Sequence, residues 1–180
     1  MLPDSLLVTR ASFLLSFPAL FSIINPLGSS IPFLQVAGDR SAQERATLAR
    51  AVGLYSLILL IASVWTGSFV LGFFGVTINA LRVAGGLVVA TRAWAMLQSP
   101  EVVEEKRQKQ VISDGRPVTS PHWSDVAFFP LTMPFTVGPG AISVSIALSS
   151  GASGKHYLPY MMGITLASAG MAIIVWLAYA

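Results

Sequence analysis

Apolar and polar positions alternate along this chain in long blocks, not in the short periods of a soluble amphipathic fold. Five apolar blocks stand out, over residues 11–37, 51–74, 78–97, 126–148 and 158–179. Each is close to the roughly 20 residues with which a helix crosses a bilayer. The pattern predicts an all-α polytopic membrane bundle. Residues 1–97 would form a first membrane repeat of three spans, 98–125 a polar connector, and 126–180 a second repeat with two spans present. The first block is preceded by a short polar start with Arg10, as a signal peptide would be. Asp4 weakens that basic start, no A-x-A site follows, and four further blocks come after, so it is read as a retained span.

Composition supports the same class. Hydrophobic residues make up 54% of the chain, charged residues 11%, and the mean hydropathy is +0.70, whereas soluble domains carry about 25% charged residues. With no cysteine, disulfides and thiolate chemistry are excluded. The pI of 9.6 accompanies a net charge of only +3, and the basic residues flank apolar blocks without forming one basic face, so nucleic acid is not an expected partner. The expected partners are the lipid bilayer and a small-molecule substrate; a homo-oligomer is compatible with the sequence.

Arg40, Arg45 and Arg50 lie between the first two blocks, and Lys106, Arg107, Lys109 and Arg116 between the third and fourth. The opposite side carries Arg10 and Lys155. Positive residues mark the cytoplasmic side. The chain would therefore sit in a cytoplasmic (inner) membrane with its N-terminus outside and residues 38–50 and 98–125 inside. The 98–125 stretch has the mixed charge of a solvated connector, the alternative being a docking or regulatory element. His122 and Asp125 fall close together at its end, a thin basis for catalysis at a membrane edge.

The first block contains its own interruption, "FSIINPLGSSIPFLQ". As one helix its 27 residues would reach about 40 Å, against roughly 30 Å of hydrocarbon. Asn25 precedes Pro26 and is turned from helical dihedrals, Gly28 allows any backbone angle, and Ser29 and Ser30 can cap a new helix at Ile31. The fourth block repeats the device in "FFPLTMPFTVGPGAISVSIAL", with Pro130, Pro134, Gly138, Pro139 and Gly140. Unwound backbone inside a membrane is tolerated only against protein or a wet cavity. Pro139 lies 113 positions after Pro26. Matching them divides the chain into halves that enter the membrane from opposite sides, an inverted 3+3 repeat. Paired broken helices of this kind point to a transporter binding site near the midplane.

Helix starts near Ser29 and Gly140 would present free N–H groups and a positive dipole end to a carboxylate or another small anionic group. Asn25 supplies an amide for substrate or for cross-linking the broken backbone. Ser29, Ser30, Thr136 and Ser143 can contribute hydroxyls, although such residues commonly bond their own backbone. In the third block, "NALRVAGGLVVATRAWAML", Arg82, Gly85 and Gly86 share a helical face. The glycines suit close helix packing. Arg82 either snorkels to the outer interface or turns inward to meet substrate or broken-helix carbonyls, the inward direction being favoured by the glycine face; Arg92 reads as an interfacial anchor.

"INPLGSSIPFL", "FGVTINALRVAGG" and "PLTMPFTVGPGAIS", in this order, resemble the MarC family of prokaryotic inner-membrane proteins. The resemblance covers nearly the whole chain and implies a six-helix protein with an inverted repeat, associated with multiple antibiotic resistance and grouped with amino-acid exporters, some members being described as small neutral amino acid transporters. Asn25, Pro26, Gly28, Arg82, Gly85, Gly86, Gly138, Pro139 and Gly140 match its pattern. This chain has five blocks where six are expected, and a sixth helix of roughly 20 residues is expected to complete the second half.

The expected function is secondary transport or export of a small polar solute such as a neutral amino acid. No nucleotide-binding loop is present and no cofactor or metal is called for. No Asp or Glu falls inside a block, so a carboxylate proton relay is disfavoured, while sodium held by unwound carbonyls stays open as the coupling ion. A membrane enzyme is disfavoured for want of an intramembrane catalytic constellation. The alternative is a non-transporting structural or stress-response protein.

Overall fold

The computed structural model describes residues 4–37, 40–77, 79–80, 83–87, 90–91, 94, 126–152 and 154–180. Among them the chain is all-helical. The elements are α1 (Asp4–Ile24), α2 (Pro26–Ala37), α3 (Ala42–Phe73), an irregular wide coil (Ala127–Thr136), α4 (Pro139–Ser149) and α5 (Tyr157–Tyr179). Among the described residues three stretches are long and apolar enough to cross a membrane: Asp4–Ala37, Ala42–Phe73 and Gly154–Tyr179. The coil and α4, bent by 65°, make a fourth if taken together. Residues described within 79–94 are helical, in line with the third apolar block. Arg82, Arg92 and the connector, with His122 and Asp125, lie outside the described residues.

Three boundaries differ from the sequence expectation. The first interruption is a single residue, Asn25, and the new helix starts at Pro26 instead of Ile31. Proline at a first helical position gives up a donor that would have no intrahelical partner there, and its ring already holds a helical φ. Ser29 and Ser30 are therefore inside α2 and cap nothing. The second span also begins earlier, at Ala42 and not near residue 51, which puts Arg45 and Arg50 on its first turns. Ser41 is the cause: its Oγ accepts from the Glu44 N–H at 3.3 Å, and the Ser41 N–H donates to Glu44 Oε2 at 2.9 Å, a reciprocal capping box. α1 begins at Asp4, before the apolar block itself.

Lipid tails are as apolar as leucine, so helices in a membrane are held by close van der Waals contact and not by burial from water. Small residues mark those contacts. A Cβ on Gly163 of α5 would overlap Ser12 Oγ and the Thr9 carbonyl of α1, and one on Gly67 of α3 would run into Ile146 of α4. At Gly53 the added atom would stand 3.0 Å from Trp176 Cβ. Thr9 Oγ1 also donates to the Pro159 carbonyl at 3.0 Å.

These contacts fix relative directions. Thr9, Ser12 and Phe17 meet Pro159, Gly163 and Gly170 in ascending order, so α1 and α5 run parallel. Gly53 meets Trp176 while Trp65 donates through Nε1 to Thr165 Oγ1 at 3.1 Å, so α3 and α5 run antiparallel. Tyr55 packs edge-on to Phe128 at 5.7 Å, and Gly67 meets Ile146, so α3 and the fourth span run parallel. The core between them is filled by Leu20, Phe33, Leu48, Leu60, Leu131 and Met171, all almost fully buried.

Candidate functional site

Asn25 takes φ +45°, left-handed backbone that asparagine tolerates better than most residues because its short amide can bond locally. Its N–H donates to the Phe21 carbonyl and its carbonyl accepts the Ser29 N–H, each at 2.9 Å, so helical bonding continues on both sides of the break. The side chain does the rest: Oδ1 accepts the Gly28 N–H at 3.2 Å. Of the first four positions of α2, Pro26 has no N–H and Gly28 and Ser29 are satisfied by Asn25. The free donors expected at this helix start are thus largely consumed, and Asn25 acts toward its own backbone. Gly28 sits so close to that amide that an added Cβ would overlap it. Pro26 and Ser29 are buried; Ser30 is half-buried and donates to Leu27 O at 2.6 Å.

The second interruption is built differently. Phe129 (φ −126°, ψ 125°) and Met133 (φ −117°, ψ 119°) are extended, each before a proline, and the bonds to Pro130 and Pro134 are cis. The released carbonyls find hydroxyls: Thr132 Oγ1 donates to Ala127 O at 2.7 Å and Thr136 Oγ1 to Leu131 O at 2.8 Å. The coil ends where the Val137 N–H reaches back five residues to Thr132 O at 2.8 Å. Gly138 then takes the cap position of α4 with Pro139 in its first turn, but glycine has no side chain to cap with. The first bond into the new helix is Ile142 N–H to Gly138 O at 3.2 Å. Among the described residues the N–H groups of Gly140 and Ala141 have no hydrogen-bond partner. An added Cβ on Gly138 would stand 3.0 Å from the Pro134 carbonyl, a tight approach that glycine relieves.

The two interruptions meet at a residue that sequence reasoning missed, Tyr179. Its hydroxyl lies 2.8 Å from Thr136 Oγ1. Because Thr136 spends its single proton on Leu131 O, the tyrosine must be the donor. The ring of the same residue stacks on Phe33 of α2 at 4.6 Å. Tyr179 is 4% exposed. A tyrosine at the end of an apolar block reads as an interfacial anchor, and only the packing reveals that it points inward. Two further hydroxyls, Ser16 of α1 and Ser56 of α3, are fully buried with no partner.

Ser143, half-buried, lies on α4 against Gly85: a Cβ on Gly85 would stand 3.6 Å from Ser143 Cβ. Gly85 is buried, whereas Gly86 faces open space. Asn25, Pro26, Gly28, Ser29 and Ser30 thus cluster on one break, and Thr136, Gly138, Pro139, Gly140 and Ser143 on the other. Among the described residues no group of His, Cys, Asp and Glu is arranged to hold a metal ion.

A bundle of long apolar helices, one of them continued through a left-handed asparagine and another through a proline-rich coil, defines a polytopic integral membrane protein. The family model described as "MarC family integral membrane protein" matches residues 10–180, and the chain belongs to that family. A UPF0056 membrane protein, YvbG, of Bacillus subtilis (strain 168) is 33% identical over 149 residues, 82% of this chain and 68% of the relative. YhcE of Escherichia coli (strain K12) is 31% identical over 160 residues, 89% and 70% of the two chains. The inner membrane protein MarC of Salmonella typhimurium is 31% identical over 136 residues, 76% of this chain and 61% of that protein. No solved structure matches.

Proposed function

We propose that this integral membrane protein is a secondary transporter or exporter of a small polar solute, a neutral amino acid being the best fit, and that it is not an enzyme. It would lie in the inner membrane, where the Salmonella relative is named, with its N-terminus outside. The observation that carries the reading is the meeting of two interrupted helices at Tyr179. Interrupted spans are costly in a bilayer and recur where a solute must be handled by backbone groups. In this arrangement the unpaired N–H groups of Gly140 and Ala141, at the positive end of α4, receive the substrate carboxylate. The first break contributes shape and not donors.

An inverted repeat also gains support from the packing. Shifted by the 113 positions that separate Pro26 from Pro139, the Gly67–Ile146 contact falls on residues 180 and 33, and the Phe33–Tyr179 stack lies one position away. The Tyr55–Phe128 contact falls on 168 and 15, between the Ser12–Gly163 and Phe17–Gly170 approaches. In this reading the packing of α1 and α2 on α5 corresponds to that of the coil and α4 on α3, and rocking one half against the other supplies alternating access.

The test is flux of labelled neutral, acidic and basic amino acids into and out of proteoliposomes under sodium and proton gradients. Saturable flux of a neutral amino acid above empty vesicles is expected. No flux of any of them above that background overturns the reading.

A further inference from the structure

Outside the region of the two breaks, α3 and α5 enclose a groove of about 380 Å³ that opens on the bundle surface. Its length is apolar: Leu54, Leu57 and Ile173 form the walls, and the small residues Gly53, Ala169 and Ala172 let it sink between the helices. Leu54 and Ile173 are each more than half exposed. One end differs in kind, because Arg50 closes it, with Trp176 beside it.

The height of that end in a membrane follows from the sequence of α3. Residues 51–73 carry no charge and extend about 35 Å as a helix, enough to fill a hydrocarbon core of roughly 30 Å. Arg50 is the first charged residue beyond that run, so its guanidinium lies at headgroup level while the groove runs from it toward the bilayer centre. Among the described residues Arg50 has no carboxylate partner. A guanidinium binds phosphate oxygens in a two-pronged, charge-assisted fashion, and an indole at the same level is a usual companion at the interface. Farther along the α3–α5 seam, away from Arg50, Trp65 is tied to Thr165.

We propose that this groove is a binding site for one anionic glycerophospholipid, its phosphate on Arg50 and an acyl chain laid along Leu57 and Ala169. The charge at one end, the apolar trough below it and the matching bilayer depth together select a lipid over a peptide or a second copy of the chain. Basic pockets between membrane helices hold anionic headgroups by the same means.

The test is native mass spectrometry of the full chain in a mild detergent, with dioleoyl phosphatidylglycerol or dioleoyl phosphatidylcholine added at equal concentration. One phosphatidylglycerol should be retained, about five- to tenfold more than phosphatidylcholine. Arg50→Gln should abolish the preference, Arg45→Gln should leave it, and Ala169→Leu, which fills the trough, should lower retention of both lipids. Glycerol phosphate, which lacks the chains, should not compete. Equal retention of the two lipids by the unmodified chain overturns the proposal without recourse to any variant. So do equal losses in Arg45→Gln and Arg50→Gln, unchanged retention in Ala169→Leu, competition by glycerol phosphate, or a dimer that forms in place of lipid binding.

Discussion

The two interruptions, at Asn25 and between Ala127 and Gly138, solve the same problem by opposite means. At Asn25 one left-handed residue breaks the helix, and its amide immediately closes the gap, so that almost no backbone donor is left over. Between Ala127 and Gly138 two prolines and two extended residues spread the disturbance over three turns and bend the chain by 65°. There threonine hydroxyls satisfy carbonyls, but nothing satisfies the N–H groups of Gly140 and Ala141. A break that heals itself is a joint; one that leaves donors unpaired can hold a ligand. In the proposed transporter, this chemical asymmetry assigns the substrate to the second break.

The largest effect should come from removing the second interruption. Pro130→Ala together with Pro134→Ala returns two N–H donors to the coil and removes the ring clashes that keep it open, so the segment should tighten toward an ordinary helix and draw α4 out of place. Flux in proteoliposomes should fall by on the order of tenfold or more, with membrane insertion unchanged. Pro139→Leu should do far less, because an N–H at a first helical position has no partner to gain. If Pro139→Leu abolishes flux and the double substitution does not, the proline coil is not what shapes the site.

The first interruption should respond more mildly and in a manner that separates strain from capping. Asn25→Leu places a bulky residue in left-handed backbone, costing about 1–2 kcal/mol, and also loses the bond to the Gly28 N–H. Asn25→Gly removes the strain and keeps only the lost cap. Thermal unfolding of the purified variants should therefore rank the original chain above Asn25→Gly and Asn25→Gly above Asn25→Leu. Equal losses would show that conformation at residue 25 carries no cost. Flux should drop only a few-fold in Asn25→Gly, since the first break offers the substrate few donors in either form.

The sequence displayed the interruptions themselves, because Pro, Gly and Asn act locally and leave the same mark wherever they stand. Asn-Pro-x-Gly and Gly-Pro-Gly are visible without any knowledge of neighbours. What each break does with its hydrogen bonds was hidden: Ser29 and Ser30 read as caps, yet Asn25 takes that task because it alone occupies the left-handed position. The early start of α3 is written in Ser41-x-x-Glu44, a capping box that lies before the apolar run and so leaves no trace in hydropathy. Gly163 and Tyr179 carried no local signal at all. A lone glycine in an apolar run and a tyrosine at its end are common, and their roles exist only once α1 and α5 lie side by side.

The smallest predicted effect bears directly on whether the two interruptions are coupled. Tyr179→Phe keeps the stack on Phe33 and removes only the hydroxyl, while Thr136→Val removes its partner at nearly constant volume. Each single change should cost about 0.5–1.5 kcal/mol, the usual worth of one buried hydrogen bond. Thr136→Val has an added cost, since the Leu131 carbonyl loses its donor as well. If the Tyr179 hydroxyl ties the coil to α5, and through the ring of Tyr179 to α2, the double variant should be less destabilised than the two singles together, by roughly the value of the shared bond. That excess is read from unfolding curves of four proteins. The rates then say what the tie is for: a tie that restrains rocking should slow flux when present, so Tyr179→Phe should transport at least as fast as the original chain despite being less stable. Strict additivity in stability would mean that the two interruptions stand side by side without sensing each other, and a halved rate in Tyr179→Phe would make the hydroxyl part of the substrate path instead of a restraint on it.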